Sequence, residues 1–186
     1  MQKIVAGLFI SLDGVVEAPD TWQFPYFNDE MGAAVAAQMD AADTMLLGRR
    51  TYEEFARFWP NQSNDDPFAA RMNNTPKVVV STTLEAVTWQ NSTLIRDNAV
   101  ESLMQLKQQT GKQIGMTGSA TLVRWLLRER LLDELWLLVH PIVIGSGKRL
   151  FPDGCERTPL KLASSQTFST GVLSLVYQPA EMEQRP

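Results

Sequence analysis

Apolar and polar positions change their spacing from block to block along the chain, and the spacings alternate between those of strands and helices. Residues 3–12 are an apolar, β-branched run ending in Ser11-Leu12-Asp13-Gly14, which predicts a first strand and a turn. A loop with Pro19, Trp22, Pro25 and Tyr26 follows. Asn28 then stands where it would cap a helix reaching about Ala42, with Asp29 and Glu30 in the first turn, where the helix dipole favours acids. Residues 44–47 read as a short buried strand closed by Gly48, and residues 50–58 as a helix stopped by Pro60. The polar stretch 61–76 is a surface excursion with a short helix over 67–72. Residues 77–81 form a continuous apolar run of the kind covered on both faces. A strand over 93–96, a helix over 100–109 and a strand over 114–117 follow. Gly118-Ser119 then leads into a helix over 120–130, whose Leu122, Val123, Leu126 and Leu127 make one apolar face. Residues 134–144 read as a long strand in which Pro141, lacking an N–H, belongs at an edge or bulge. Two last strands, 160–166 and 172–178, flank Ser169-Thr170-Gly171 as a hairpin. Strand–helix alternation followed by antiparallel strands predicts an α/β sandwich with a mostly parallel sheet and an antiparallel edge. It forms one domain over residues 1–178, with a polar, flexible tail over 179–186.

Composition narrows the function. The 186 residues, 44% hydrophobic and 20% charged, suffice for a real core. A net charge of −4 argues against nucleic acid as the main partner. One cysteine, Cys155, forms no disulfide within the chain, and with a single histidine, His140, the ligand supply is too poor for zinc. A carboxylate-only magnesium site stays open, and no metal-binding residue is assigned. The opening apolar run is broken by Ser11 and Asp13, too soon for a leader or a span. The expected setting is the cytoplasm, with no membrane partner.

Two segments join a strand end, a glycine and a helix start: Leu46-Leu47-Gly48-Arg49-Arg50-Thr51-Tyr52-Glu53 and Met116-Thr117-Gly118-Ser119-Ala120-Thr121-Leu122. The free amides of a helix N-terminus attract anions, and a glycine lets a phosphate approach the backbone. Each is also compatible with a plain tight turn. Other nucleotide signatures fail. No Gly-x-Gly-x-x-Gly follows a strand. Gly145-Ser146-Gly147-Lys148 is followed by Arg149 where a phosphate loop needs Ser or Thr, and Ile142 holds its upstream glycine position. A serine-hydrolase elbow and a zinc-deaminase cysteine pair are both missing.

The order Ala6…Asp13-Gly14, Trp22-x-x-Pro25, Leu47-Gly48-Arg49-Arg50-Thr51-Tyr52-Glu53, Val78-Val79-Val80-Ser81-Thr82 and Gly118-Ser119 resembles dihydrofolate reductase. Ser11-Leu12-Asp13-Gly14, Leu132-Asp133-Glu134-Leu135, Pro141-x-x-Ile144-Gly145-x-Gly147 and Leu150-Phe151 resemble still more the reductase domain of bacterial riboflavin biosynthesis. The resemblance spans about residues 2–178. It implies a dihydrofolate reductase-like three-layer α/β/α sandwich and an oxidoreductase using NADPH, with pairing into homodimers. It further implies that Gly48, Arg49, Arg50 and Thr51 meet the phosphates and adenosine ribose. Ser81 and Thr82 would line the 2′-phosphate end, Gly118, Ser119, Ala120, Thr121 and Leu122 would wrap the pyrophosphate, and Ala6, Gly14 and Val15 would lie beside the nicotinamide. An arginine plus hydroxyls suits a 2′-phosphate, hence NADPH over NADH.

The substrate implied is a small heterocycle, a pteridine or a riboflavin-precursor pyrimidine as for a 5-amino-6-(5-phosphoribosylamino)uracil reductase. Hydride transfer to C=N needs a proton source, and the candidate acids are Asp29, Glu30 and Asp13. Asp29 lies four residues after Pro25, longer than the dihydrofolate reductase spacing, which weighs against dihydrofolate itself. Trp22, Tyr26, Tyr52 and Phe55 are candidates for an aromatic wall, and the apolar Trp136 for a dimer interface. A protein that binds a nucleotide or pterin without turnover would keep the same glycine turns, and a flavin-dependent reductase is a third reading.

Overall fold

The protein is described here by a computed structural model covering residues 1–63 and 65–180. Eight strands form one sheet: β1 (Ile4–Ser11), β2 (Ala42–Gly48), β3 (Lys77–Val80), β4 (Ser92–Ile95), β5 (Gln113–Thr117), β6 (Glu134–His140), β7 (Leu160–Thr167) and β8 (Leu173–Pro179). Five helices connect them: α1 (Asp29–Asp40), α2 (Arg49–Phe58), α3 (Pro67–Asn74), α4 (Ala99–Gln108) and α5 (Ala120–Arg128). The strand order is β4-β3-β2-β5-β1-β6-β8-β7. Strands β1 to β6 pair in parallel, whereas β8 runs antiparallel to both β6 and β7.

Side-chain alternation along the strands builds two layers of core. Ile4, Ala6, Leu8 and Ile10 of β1 pack with Leu135 and Leu137 of β6 against Leu103 of α4 and Leu122, Val123, Leu126 and Leu127 of α5. On the other face Trp136 and Leu138 of β6 meet Met31 of α1. There, too, Leu47 and Val79 meet Tyr52 of α2 and Met72 of α3. Helices therefore cover both faces, the three-layer arrangement expected. Among the described residues no helix is long and apolar enough to cross a membrane.

Local rules fixed several boundaries. The Asn28 side chain accepts from the Met31 N–H and starts α1, and Asp66 caps α3 by accepting from the Phe68 N–H. The strand expected over 134–144 ends at His140, because Pro141 cannot continue a ladder. Trp136, named above for a dimer interface, lies on a strand between β1 and β8; the residue is 8% exposed and its indole donates to Ser174 Oγ at 2.8 Å. Of the tail expected over 179–186, Pro179 still pairs with Leu160, and residues 181–186 lie outside the described residues. The sheet's edges are β4 and β7, and β7 is exposed over residues 161–167.

Candidate active site

The carboxyl ends of the parallel strands converge on one cavity of about 1240 Å³. Pockets for a single drug-sized ligand are usually about 300–1,000 Å³, so this space can hold a dinucleotide and a second ring together. Its position follows the general rule for parallel sheets, in which ligands gather outside the carboxyl ends of strands.

The two glycine turns meet at its centre. Gly48 ends β2 and Gly118-Ser119 ends β5, and both helices that follow, α2 and α5, start at the cavity. Gly118 and Ser119 both have positive φ, 61° and 51°. A side chain at Gly118 would be strained, and its Cβ would lie 3.1 Å from Thr51 Oγ1. Hydroxyls bridge the turns: the Gly48 N–H donates to Ser119 Oγ at 2.9 Å, and the Ser119 hydroxyl and amide both donate to Thr51 Oγ1, at 2.9 and 3.0 Å. The first turns of α2 and α5 are thus held against each other, and both line the cavity.

All nine residues expected from these turns, Gly48 to Thr51 and Gly118 to Leu122, line the cavity. Ser81 and Thr82 line it as well. The Ser81 hydroxyl accepts from the Thr83 and Leu84 amides and shapes the turn after β3, leaving Thr82 exposed. Arg96, at the end of neighbouring β4, joins them and makes no ion pair among the described residues.

Near β1 the expected residues are displaced by one position. Ala6 faces the α5 side and is fully buried, Gly14 sits in a turn, and Val15 pairs with Arg149; none of the three lines the cavity. Gly7, Phe9, Val16 and Glu17 take their place. Gly7 is required there: a Cβ would come within 2.9 Å of Trp136 Cε3, so its absence lets the indole lie across β1 as a cavity wall.

The three acids offered for catalysis are not in the cavity, which corrects that expectation. Asp13 is held by backbone: its carboxylate accepts from the Ile144 and Gly145 amides at 3.0 and 2.9 Å and from the Ser11 hydroxyl at 2.7 Å. Donation from Ile144, then Ser11 and Gly145, holds it well below the usual carboxylate range. Glu30 accepts from the Ser169 hydroxyl and amide and from Asn28, which lowers its pKa in that order and ties α1 to the β7–β8 turn. Asp29 lies exposed in the first turn of α1. The acids that do line the cavity are Glu17, Asp20 and Glu54, and the face of α1 turned to it carries Val35, Gln38 and Met39.

Of the aromatic wall, Phe55 alone lines the cavity, joined by Phe58 and Trp59 one helical turn on. Tyr52 is buried, its hydroxyl oxygen accepting from the Thr88 and Trp89 amides. Trp22 and Tyr26 pack edge-on to the buried ring of His140, at 5.1 and 5.8 Å between centroids. The His140 Nδ1–H donates to the Leu138 carbonyl, and burial pushes its pKa down, so the ring is a neutral core group. No group of three or more metal-ligating side chains occurs among the described residues. The α1 positions had a legible signal, since 31, 35, 38 and 39 share a helical face with the cap at Asn28. Arg96 and Glu17 had none, and Lys148 stood only in the rejected Gly145-Ser146-Gly147-Lys148 motif.

Residues 2–174 match the RibD C-terminal domain family. The uncharacterized protein YyaP of Bacillus subtilis (strain 168) is 31% identical over 182 residues, 95% of this chain and 94% of that protein. A Shewanella sp. PV-4 protein assigned to riboflavin biosynthesis superposes with a TM-score of 0.77 at 20% identity, over 97% of this chain and 100% of that one. The Saccharomyces riboflavin biosynthesis reductase Rib7 superposes at 0.63 and 15% identity, over 96% and 90%. These likenesses establish the dihydrofolate reductase-like sandwich with its antiparallel edge strands. By the match over nearly its whole length, and with both glycine turns of the cavity inside that match, this chain belongs to the RibD C-terminal domain family.

Proposed function

We propose that this chain is an NADPH-dependent reductase that transfers hydride to a small flat heterocycle, of the pteridine or riboflavin-precursor pyrimidine type. The observation that carries the reading is the pair of hydroxyl-bridged glycine turns, with two helix N-termini opening on one cavity large enough for two ligands. The residues present fit the cofactor. Amides at Gly48–Thr51 and Gly118–Leu122 suit a pyrophosphate, and Arg96 with Thr82 suits a terminal phosphate two strands away. The name of the Saccharomyces relative, a riboflavin biosynthesis reductase, supports the same chemistry.

When bound, NADPH supplies the hydride, and the protein's part is to orient, exclude water and manage the proton. Trp136, spread over Gly7, gives a flat wall near β1 on which a ring can stack, and Gln38 offers both an amide donor and an acceptor beside it. Protonation of the reduced nitrogen falls to Glu17 or Asp20, acids of the loop after β1, or to a water they hold. No acid is offered by the cavity face of α1, which supports a substrate other than dihydrofolate.

Calorimetric titration with NADPH and NADH tests the cofactor, followed by loss of absorbance at 340 nm with a panel of pteridines and aminopyrimidines. NADPH binding that Arg96→Gln weakens far more than NADH binding is the expected result. Binding of neither cofactor would overturn the proposal, and NADPH binding without turnover of any substrate would favour a binding protein.

A further inference from the structure

Gly145-Ser146-Gly147-Lys148 is no phosphate loop, yet the fold brings it to the same end of the sheet as the two glycine turns. Its backbone is fastened on two sides. Toward the loop after β1, Asp13 accepts from the Ile144 and Gly145 amides, Glu17 Oε2 accepts from the Lys148 amide at 3.1 Å, and the Lys148 carbonyl accepts from the Val16 amide at 2.9 Å. Toward α5, Arg124 donates to the Leu150 carbonyl at 2.8 Å and to Thr121 Oγ1 at 3.3 Å. Gly147 is needed for this fit: its φ is +118°, and a Cβ would stand 3.0 Å from Val15 Cγ1. The Lys148 side chain is treated differently. It is half-buried and lines the cavity, but its ammonium has no hydrogen bond or ion pair among the described residues. Burial, Arg50 and Arg124 all push its pKa down, against the opposing pull of Glu17 and Glu54. A lysine on a clamped backbone, close to two arginines and unpaired, is a cation site waiting for a polyanion.

We propose that Lys148 is a third arm of the phosphate site and grips the pyrophosphate of the dinucleotide from the loop after β6, beside Arg50 of α2. The inference rests on the NADPH reading above and names a contact that reading lacks. Distance selects the pyrophosphate over the 2′-phosphate. The Lys148 backbone lies against Val16, just after β1, and with neighbouring strands about 4.8 Å apart β1 lies three spacings, roughly 14 Å, from β3 and its Ser81 and Thr82. A lysine side chain cannot cover that. The β5 turn is only one spacing away, roughly 5 Å, and Arg124 already links the Lys148 loop to its helix.

The test titrates wild type, Lys148→Gln and Lys148→Arg with NADPH, NADH, ADP-ribose and 2′-AMP, after thermal melts show that the variants are folded. Lys148→Gln should weaken NADPH, NADH and ADP-ribose by a common factor of about tenfold, leaving 2′-AMP and the NADPH-to-NADH ratio unchanged. Lys148→Arg should recover most of the loss. If wild type binds ADP-ribose and Lys148→Gln binds it equally well, this inference falls and the cofactor reading stands; a weakening confined to a phosphorylated substrate has the same meaning. A wild type that binds none of the four ligands overturns both.

Discussion

Thr51 joins the two halves of the site, and removing its oxygen alone tests whether the bridge matters. Thr51→Val preserves shape but deletes the acceptor of two bonds, from the Ser119 amide at 3.0 Å and the Ser119 hydroxyl at 2.9 Å. Thr51 is 8% exposed, so water reaches these donors poorly. A buried donor left unpaired costs about 1–3 kcal/mol, and the Ser119 hydroxyl can turn elsewhere whereas its amide cannot, so the loss should be about 2 kcal/mol. For a domain of this size that is a fall in Tm of roughly 4–8 °C. Thr51→Ser keeps the oxygen and should lose far less. Because Ser119 also accepts from the Gly48 amide, Thr51→Val and Ser119→Ala act on one network, and the double variant should lose less than the sum of the single losses. Calorimetric melts of the four proteins decide the matter, with NADPH titrations alongside. If Thr51→Val melts with wild type, or if the two losses simply add, the bridge is not the coupled unit described.

Two further expectations concern other parts of the chain. Gly7→Ala forces a Cβ to 2.9 Å from the Trp136 ring and should cost about 1–3 kcal/mol in urea unfolding, whereas Gly32→Ala in α1, with Phe27 no nearer than 3.5 Å, should gain up to about 1 kcal/mol; equal effects would contradict the packing described. Lys77 is 1% exposed, donates to the Asn73, Thr75 and Gln90 carbonyls, and is pushed down to about 8 by burial. Between about 8 and 10.5 the unfolded chain holds a proton that the folded one has released, so stability should rise with pH across that window by up to roughly 3 kcal/mol relative to Lys77→Met. Parallel pH profiles of the two proteins would refute this.

The sequence by itself determined the elements and the two glycine turns that meet at the cavity. Asn28 caps α1 through its own side chain, and the alternation in β1 and the face of α5 are local patterns that tertiary packing only had to accept. Gly48 and Gly118 were legible because a glycine between a strand and a helix has a local meaning. What only the tertiary structure decided is which groups face the cavity. Asp13 and Glu30 look free in the sequence, but partners more than 130 residues away, Ile144, Gly145 and Ser169, occupy their carboxylates. Tyr52 lies next to a cavity residue and is still turned away, because Thr88 and Trp89 need its oxygen. Trp136 is a cavity wall because β8 folds back beside β6, and its indole fits only because residue 7 of another strand has no side chain. Lys148 enters the site because β6 ends beside β1 and β1 beside β5. Strand order is set by the burial of whole faces across the sheet, and no local run of residues carries that information.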